Sequence, residues 1–148
     1  MNVLGGFQAS LDSGAPCALP TRKAQALLAY LSVDPGRAYS RDALASLLWG
    51  ERPDAQARKS LRQTVYALRK AVPGVGDSLL VLGGEGIGLN PAAIEADAPR
   101  FEKLVTEGTP ESLERAATLY RGDLLHGFSL DEASFEEWLV AERERLRE

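Results

Sequence analysis

A chain of 148 residues, 45% hydrophobic and 26% charged, is long enough for one moderate domain or two small ones with an apolar core. No stretch approaches the ~20 apolar residues of a membrane span. The opening MNVLGGFQAS lacks the basic start and apolar run of a secretory signal, so a cytoplasmic protein with no membrane partner is expected. The net charge of −4 is unevenly divided: residues 1–95 carry ten basic and eight acidic groups, residues 96–148 seven basic and thirteen acidic. The first part suits an anionic partner and the second suits protein contacts.

In chain order, Val3, Phe7, Ala9 and Leu11 alternate with Leu4, Gln8, Ser10 and Asp12, which predicts a strand or hairpin before the turn-rich SGAP. Cys17, the single cysteine, excludes an internal disulfide and has no base or metal partner near it in sequence. Thr21 is placed to cap a helix whose Ala24, Leu27, Leu28 and Leu31 share one face, ending near Asp34-Pro35-Gly36. Ser40 caps a second, short helix with Leu44, Leu47 and Leu48 inward; Trp49-Gly50 closes it, and Pro53-Asp54 opens a third, which Pro73-Gly74 ends. Two short apolar runs, Leu79 to Leu82 and Ile87 to Leu89, flank the glycine turn GGEG and predict a β-hairpin. The run GGEGIG lacks the register of a phosphate-binding loop and is followed by Asn90-Pro91, not by a helix. Further helices are expected from Asp97 to Gly108, from Thr109-Pro110 to Gly122, and from about Glu132 onward. Their predicted apolar positions are Phe101, Leu104 and Val105, then Leu113, Ala116, Ala117 and Tyr120, then Phe135, Trp138, Leu139 and Leu146.

The third helix is the most informative. Leu61, Val65, Leu68 and Val72, at spacing i, i+4, i+7 and i+11, fall in one narrow sector and predict a buried stripe. Opposite them Lys59, Gln63, Tyr66 and Lys70 form a second stripe, with Arg58, Arg62 and Arg69 on its flank. Six lysines or arginines against the single acid Asp54, between Arg52 and Lys70, is a local charge of the kind that faces phosphates. A charged outer face would also suit any surface helix, but helix, short helix, long amphipathic helix and hairpin, in that order, is the layout of a winged helix-turn-helix.

The run LPTRKAQALLAYLSVDPGRAYSRDALASLLWG, with LR-x-x-V-x-x-LRK at Leu61, Arg62, Val65, Leu68, Arg69 and Lys70, resembles the response-regulator-type winged helix of the OmpR class. It is most similar to the version in antibiotic-regulatory (SARP-type) bacterial transcription activators, where a bacterial transcriptional activator domain of tetratricopeptide-like helices follows. ADAPRFEKLV, LERAATLYRGDLLHGF and FEEWLVAERERLR resemble the start of that second domain. The most specific parts are Leu-Leu-Trp-Gly at 47 to 50, Tyr-Arg-Gly-Asp-Leu-Leu at 120 to 125, and Trp138 followed by Glu142-Arg143.

The resemblance implies an α+β, mainly α, fold: a winged helix-turn-helix with N-terminal β-strands and a C-terminal β-hairpin wing, followed by tetratricopeptide-like α-helices. The expected division is a DNA-binding domain at 1–92 and the first helices of an activator domain at 96–148, cut short by the end of the chain. In the family the third helix reads the major groove of double-stranded DNA. That assigns Lys59, Gln63, Tyr66 and Lys70 to the DNA face and Arg58, Arg62 and Arg69 to phosphates, although Arg69 could instead brace the hairpin or pair with an acid. Arg37 and Arg41, flanking the start of the second helix, are candidate backbone contacts and equally well plain surface charges. The resemblance further implies activation by recruiting RNA polymerase.

One departure stands out: no Lys or Arg occurs from Leu79 to Asn90, whereas wings commonly place a basic residue in the minor groove. Binding would then rest on the third helix, with self-association on tandem direct repeats. The alternative is a winged helix and helical repeat that dock protein within a larger regulatory protein and bind no DNA. The lone His126 has no ligand partners at metal spacing, and the charges of the last helix, Glu136-Glu137 and Glu142 to Arg145, alternate as solvated ones do. No catalytic residue, cofactor or metal is expected, and the chain is read as a non-enzyme.

Overall fold

The first helix, α1 (Arg22–Ser32), starts where the Thr21 hydroxyl accepts the Ala24 N–H at 3.1 Å, satisfying a donor that the helix itself leaves unpaired. This computed structural model describes residues 1, 3–5, 19, 21–71, 79–84, 86–91, 96–130 and 132–147. Ser40 repeats the device for α2 (Arg41–Leu48), accepting from Ala43 N–H at 3.0 Å. After Pro53 comes α3 (Asp54–Ala71), with Asp54 in its first turn and Arg69 and Lys70 in its last, each sign at the helix end whose dipole favours it. The buried stripe of α3 is Ala57, Leu61, Val65 and Leu68, one turn longer at its start than the leucine and valine spacing indicates. Val72 and the Pro73-Gly74 stop lie outside the described residues.

The hairpin is present: β1 (Leu80–Gly83) pairs antiparallel with β2 (Gly86–Leu89), Leu80 opposite Leu89 and Gly83 opposite Gly86. Glu85 lies outside the described residues. A bridge unforeseen in the sequence joins Tyr39 to Ile87 through two hydrogen bonds of 2.9 Å, so the α1–α2 connection pairs with the inner edge of the wing. This approach explains two glycines. A Cβ on Gly86, whose φ is +130°, would lie 1.9 Å from the Tyr39 carbonyl oxygen, and one on Gly88 would lie 2.7 Å from that of Arg37.

At the N-terminus the described residues form no strand, only an isolated antiparallel bridge between Leu4 and Leu124 in the second half of the chain. Leu125 N–H donates to Val3 O and His126 N–H to Gly5 O, both at 2.7 Å. Phe7 to Leu11 and Cys17 lie outside the described residues.

The second half supplies α4 (Asp97–Glu107), α5 (Pro110–Leu119) and α6 (Ala133–Arg147). Gly108, left-handed at φ 68°, ends α4, and the Thr109 hydroxyl caps α5 by accepting Ser112 N–H at 3.0 Å. The α5 stripe needs correction: Ala116 is buried, but Leu113 and Ala117 are exposed. The reason is that α5 packs chiefly on α4, which covers one side of that stripe.

Buried residues of both halves form one cluster, in which Phe135, Leu139 and Leu146 of α6 join Leu27 and Leu31 of α1, Leu44 and Leu48 of α2, and Leu61 and Leu68 of α3. The last helix, α6, therefore packs on the winged helix, whereas α5 packs chiefly on α4. Aromatic rings continue the junction: Tyr39 to Tyr30 at 4.9 Å, Tyr30 to Trp138 at 4.8 Å and Trp138 to Phe135 at 5.4 Å between centroids. Polar groups close it. The buried Asp97 carboxylate accepts the N–H groups of Val3 and Leu4, each at 2.9 Å, and Lys23 pairs with Glu132 at 2.7 Å while also donating to the Leu48 carbonyl.

Candidate nucleic-acid interface

With Leu61, Val65 and Leu68 buried, the pitch of α3 turns Lys59, Arg62, Gln63, Tyr66 and Lys70 outward, and all of them are exposed. Tyr66 is 60% exposed, so it is not a core aromatic, and the Lys70 ammonium lies 4.7 Å from its ring centroid. Arg62 makes no ion pair among the described residues. Arg58 stands 3.5 Å from Asp42 of α2; both side chains are largely exposed, so the pair is weak and its guanidinium can be recruited by a stronger anion.

The remaining candidates are placed differently. Arg69 is half-buried and lines, with Leu82 and Ile87, the groove between α3 and the wing. Arg41, at the start of α2, donates to the Gly83 carbonyl at 2.8 Å and so ties that helix end to the wing. Arg37 lies 4.9 Å from the Tyr39 ring centroid and 4.0 Å from Asp34. Arg52, which was not singled out as a site residue, donates to Ser60 Oγ at 3.0 Å and adds a cation at the entrance to α3.

The groove has a volume of about 280 Å³. Arg41, Arg58, Arg62 and Arg69 line it, with the exposed Tyr66 and Leu82 beside them and the buried Leu61, Val65 and Ile87 as its floor. On the wing itself Val81 and Leu82 are 57% and 40% exposed. The hairpin packs through β2 on α1 and on the Tyr39 bridge, and among the described residues nothing covers Val81 on its other side. The surface of α3 and its groove can neutralise phosphates through the arginines and lysines, and reach base edges with Gln63, Tyr66 and the long cations.

The sequence pattern of the family described as "Transcriptional regulatory protein, C terminal" matches residues 15–88, which include α1 to α3 and reach into β2. The chain belongs to this family. Among the family's regulators, transcriptional regulatory protein EmbR of Mycobacterium bovis is 37% identical over 97 residues, which is 66% of this chain and 22% of EmbR. Transcriptional regulator RedD of Streptomyces coelicolor is 31% identical over 143 residues, 84% of this chain and 40% of RedD. The structure of Mycobacterium tuberculosis EmbR in complex with a low-affinity phosphopeptide superimposes with a TM-score of 0.79 at 28% identity, covering 99% of this chain and 42% of that one.

The family assignment bears out the resemblance to OmpR-class winged helices and SARP-type regulators. The winged-helix layout with further helices agrees with the EmbR superposition. The relatives are transcriptional regulators and the chain spans less than half their length. Among the described residues no helix is long and apolar enough to cross a membrane.

Proposed function

We propose that this chain is the DNA-binding part of a bacterial transcription activator, with α3 as its reading helix in the major groove. The observation that carries the reading is the exposed cationic face of α3, set opposite a fully apolar stripe in a protein whose net charge is −4. In this reading Lys59, Gln63, Tyr66 and Lys70 face the bases and Arg58 and Arg62 hold phosphates. Arg69 and Arg41 serve mainly to brace the wing, each presenting remaining N–H donors to the DNA backbone, and Arg37 is a peripheral phosphate contact. Residues 1–92 form the DNA-binding domain and 96–148 open an activator domain. Pairs of molecules on direct repeats offset a wing without Lys or Arg, and the protein recruits RNA polymerase.

The test is selection of genomic fragments on the chain at two salt concentrations, followed by sequencing. Enrichment of a repeated motif is expected, with log affinity falling against log salt by about 0.9 for each phosphate neutralised. One observation favours a second reading, a protein-docking module: the wing exposes Val81 and Leu82 and its sequence holds no Lys or Arg. Binding that salt abolishes with no enriched sequence would select that reading.

A further inference from the structure

The groove between α3 and the wing has an apolar lining that phosphate contacts do not use. Four arginines line it, but the exposed Tyr66 and Leu82, with the buried Leu61, Val65 and Ile87 beneath them, make the rest of the lining apolar. Phosphates would be held at the rim and leave that lining unfilled, because a phosphodiester has no apolar body to place against leucine and isoleucine. At about 280 Å³ the groove is near the lower end of the ~300–1,000 Å³ typical of small-molecule sites, which favours a body of two or three fused rings.

We propose that this groove is a receptor site for a flat aromatic organic anion, a carboxylate or sulfonate, whose binding excludes DNA. The ring system lies between Leu82 and the Tyr66 ring, above the buried Ile87, and the anionic group meets Arg62 and Arg58. Arg58 is available for this because its tie to Asp42, at 3.5 Å between exposed groups, is weak. A bidentate guanidinium–carboxylate contact in a partly desolvated groove is a stronger alternative. Exclusion follows from overlap: the same two arginines are assigned to phosphates, and a ligand seated between α3 and the wing blocks the helix from the groove of the duplex. The regulatory half of this inference rests on the DNA-binding reading above; the ligand site itself does not.

The probe is 8-anilinonaphthalene-1-sulfonate, whose fluorescence rises in apolar sites, titrated into the intact chain. One saturable site is expected, weakened at least tenfold by Arg62→Gln and by Leu82→Asp, each with unchanged circular dichroism. The neutral analogue N-phenyl-1-naphthylamine should bind at least tenfold more weakly, and a duplex the chain retains should displace the dye. Unchanged dye binding in both variants, equal binding of the neutral analogue, or a duplex that binds without displacing the dye would overturn the inference. A chain that binds duplex but no dye refutes the ligand site and leaves the proposed function standing. Dye binding with these dependencies in a chain that binds no duplex keeps the site and refutes the DNA reading.

Discussion

At the scale of single residues, the outward stripe of α3 and the wing glycines make opposite demands. Lys59 and Arg62 are exposed and away from the apolar stripe, so their removal should leave the fold intact. The double variant Lys59→Ala with Arg62→Ala is expected to keep the parent's melting temperature while the salt dependence of DNA binding becomes shallower. Each lost phosphate contact should reduce the slope by about 0.9, measured by fluorescence anisotropy on a retained duplex. An unaltered slope would mean that this face does not meet the phosphates. Gly86 is the reverse case. Its φ of +130° and the 1.9 Å that would separate a Cβ from the Tyr39 carbonyl oxygen leave no room for a side chain. Gly86→Ala should cost more than about 1 kcal/mol and weaken the pairing of Tyr39 with Ile87, read by chemical denaturation and amide exchange.

At the scale of elements, the caps Thr21, Ser40 and Thr109 and the stop Gly108 were legible because capping depends on a few adjacent residues. The stripe of α3 was legible because helical pitch alone decides which residues share a face. Leu61→Ala or Leu68→Ala, truncating side chains no more than 1% exposed, should each cost about 2–5 kcal/mol in urea denaturation and abolish DNA binding with the fold. The α5 stripe shows where periodicity stops being sufficient. It marked Leu113 and Ala117 as apolar, but only packing decides burial, and α5 meets chiefly α4. The wing illustrates the same point: Val81 is exposed because no layer covers the outer side of β1 among the described residues, while Leu82, on the opposite face, opens into the groove beside α3.

At the scale of the whole molecule, the joint between the two halves is built from the residues that carried the family likeness. Leu124 bridges Leu4, and Arg143 donates to the carbonyls of Leu124 and Leu125 at 2.8 and 3.0 Å. These contacts hold Leu125 in a left-handed conformation at φ 51°, which costs a branched residue energy on its own. Asp97 is the second fastening. Asp97→Ala would leave the Val3 and Leu4 N–H groups unpaired in a buried place, at about 1–3 kcal/mol each, and calorimetry should show the loss while α3 keeps its exposed face.

Asp123 adds a dependence on acid. Hydrogen bonds from Arg147 and from the Tyr120 hydroxyl hold its carboxyl at about 2, below the usual 3.8. A carboxylate depressed by folding contributes stability above its unfolded value and loses it as pH falls through the folded one. The difference in melting temperature between the parent and Asp123→Asn should therefore be constant above pH ~4 and shrink towards pH ~2. A difference that does not vary with pH would exclude this pairing in solution.

The sequence by itself determined the order of helices and hairpin, their caps, the inward and outward faces of α3, and the kinship with winged-helix regulators. All of these depend on neighbours within a turn or two, or on motifs read in a line. Tertiary structure alone decided that Leu4 pairs with Leu124 and Tyr39 with Ile87, that α6 shares the winged-helix core, and that Arg41 and Arg69 border the wing while Arg62 stays open to solvent. Those contacts join residues dozens of positions apart, and their geometry follows from how helices of given length pack on one core, which no local pattern encodes.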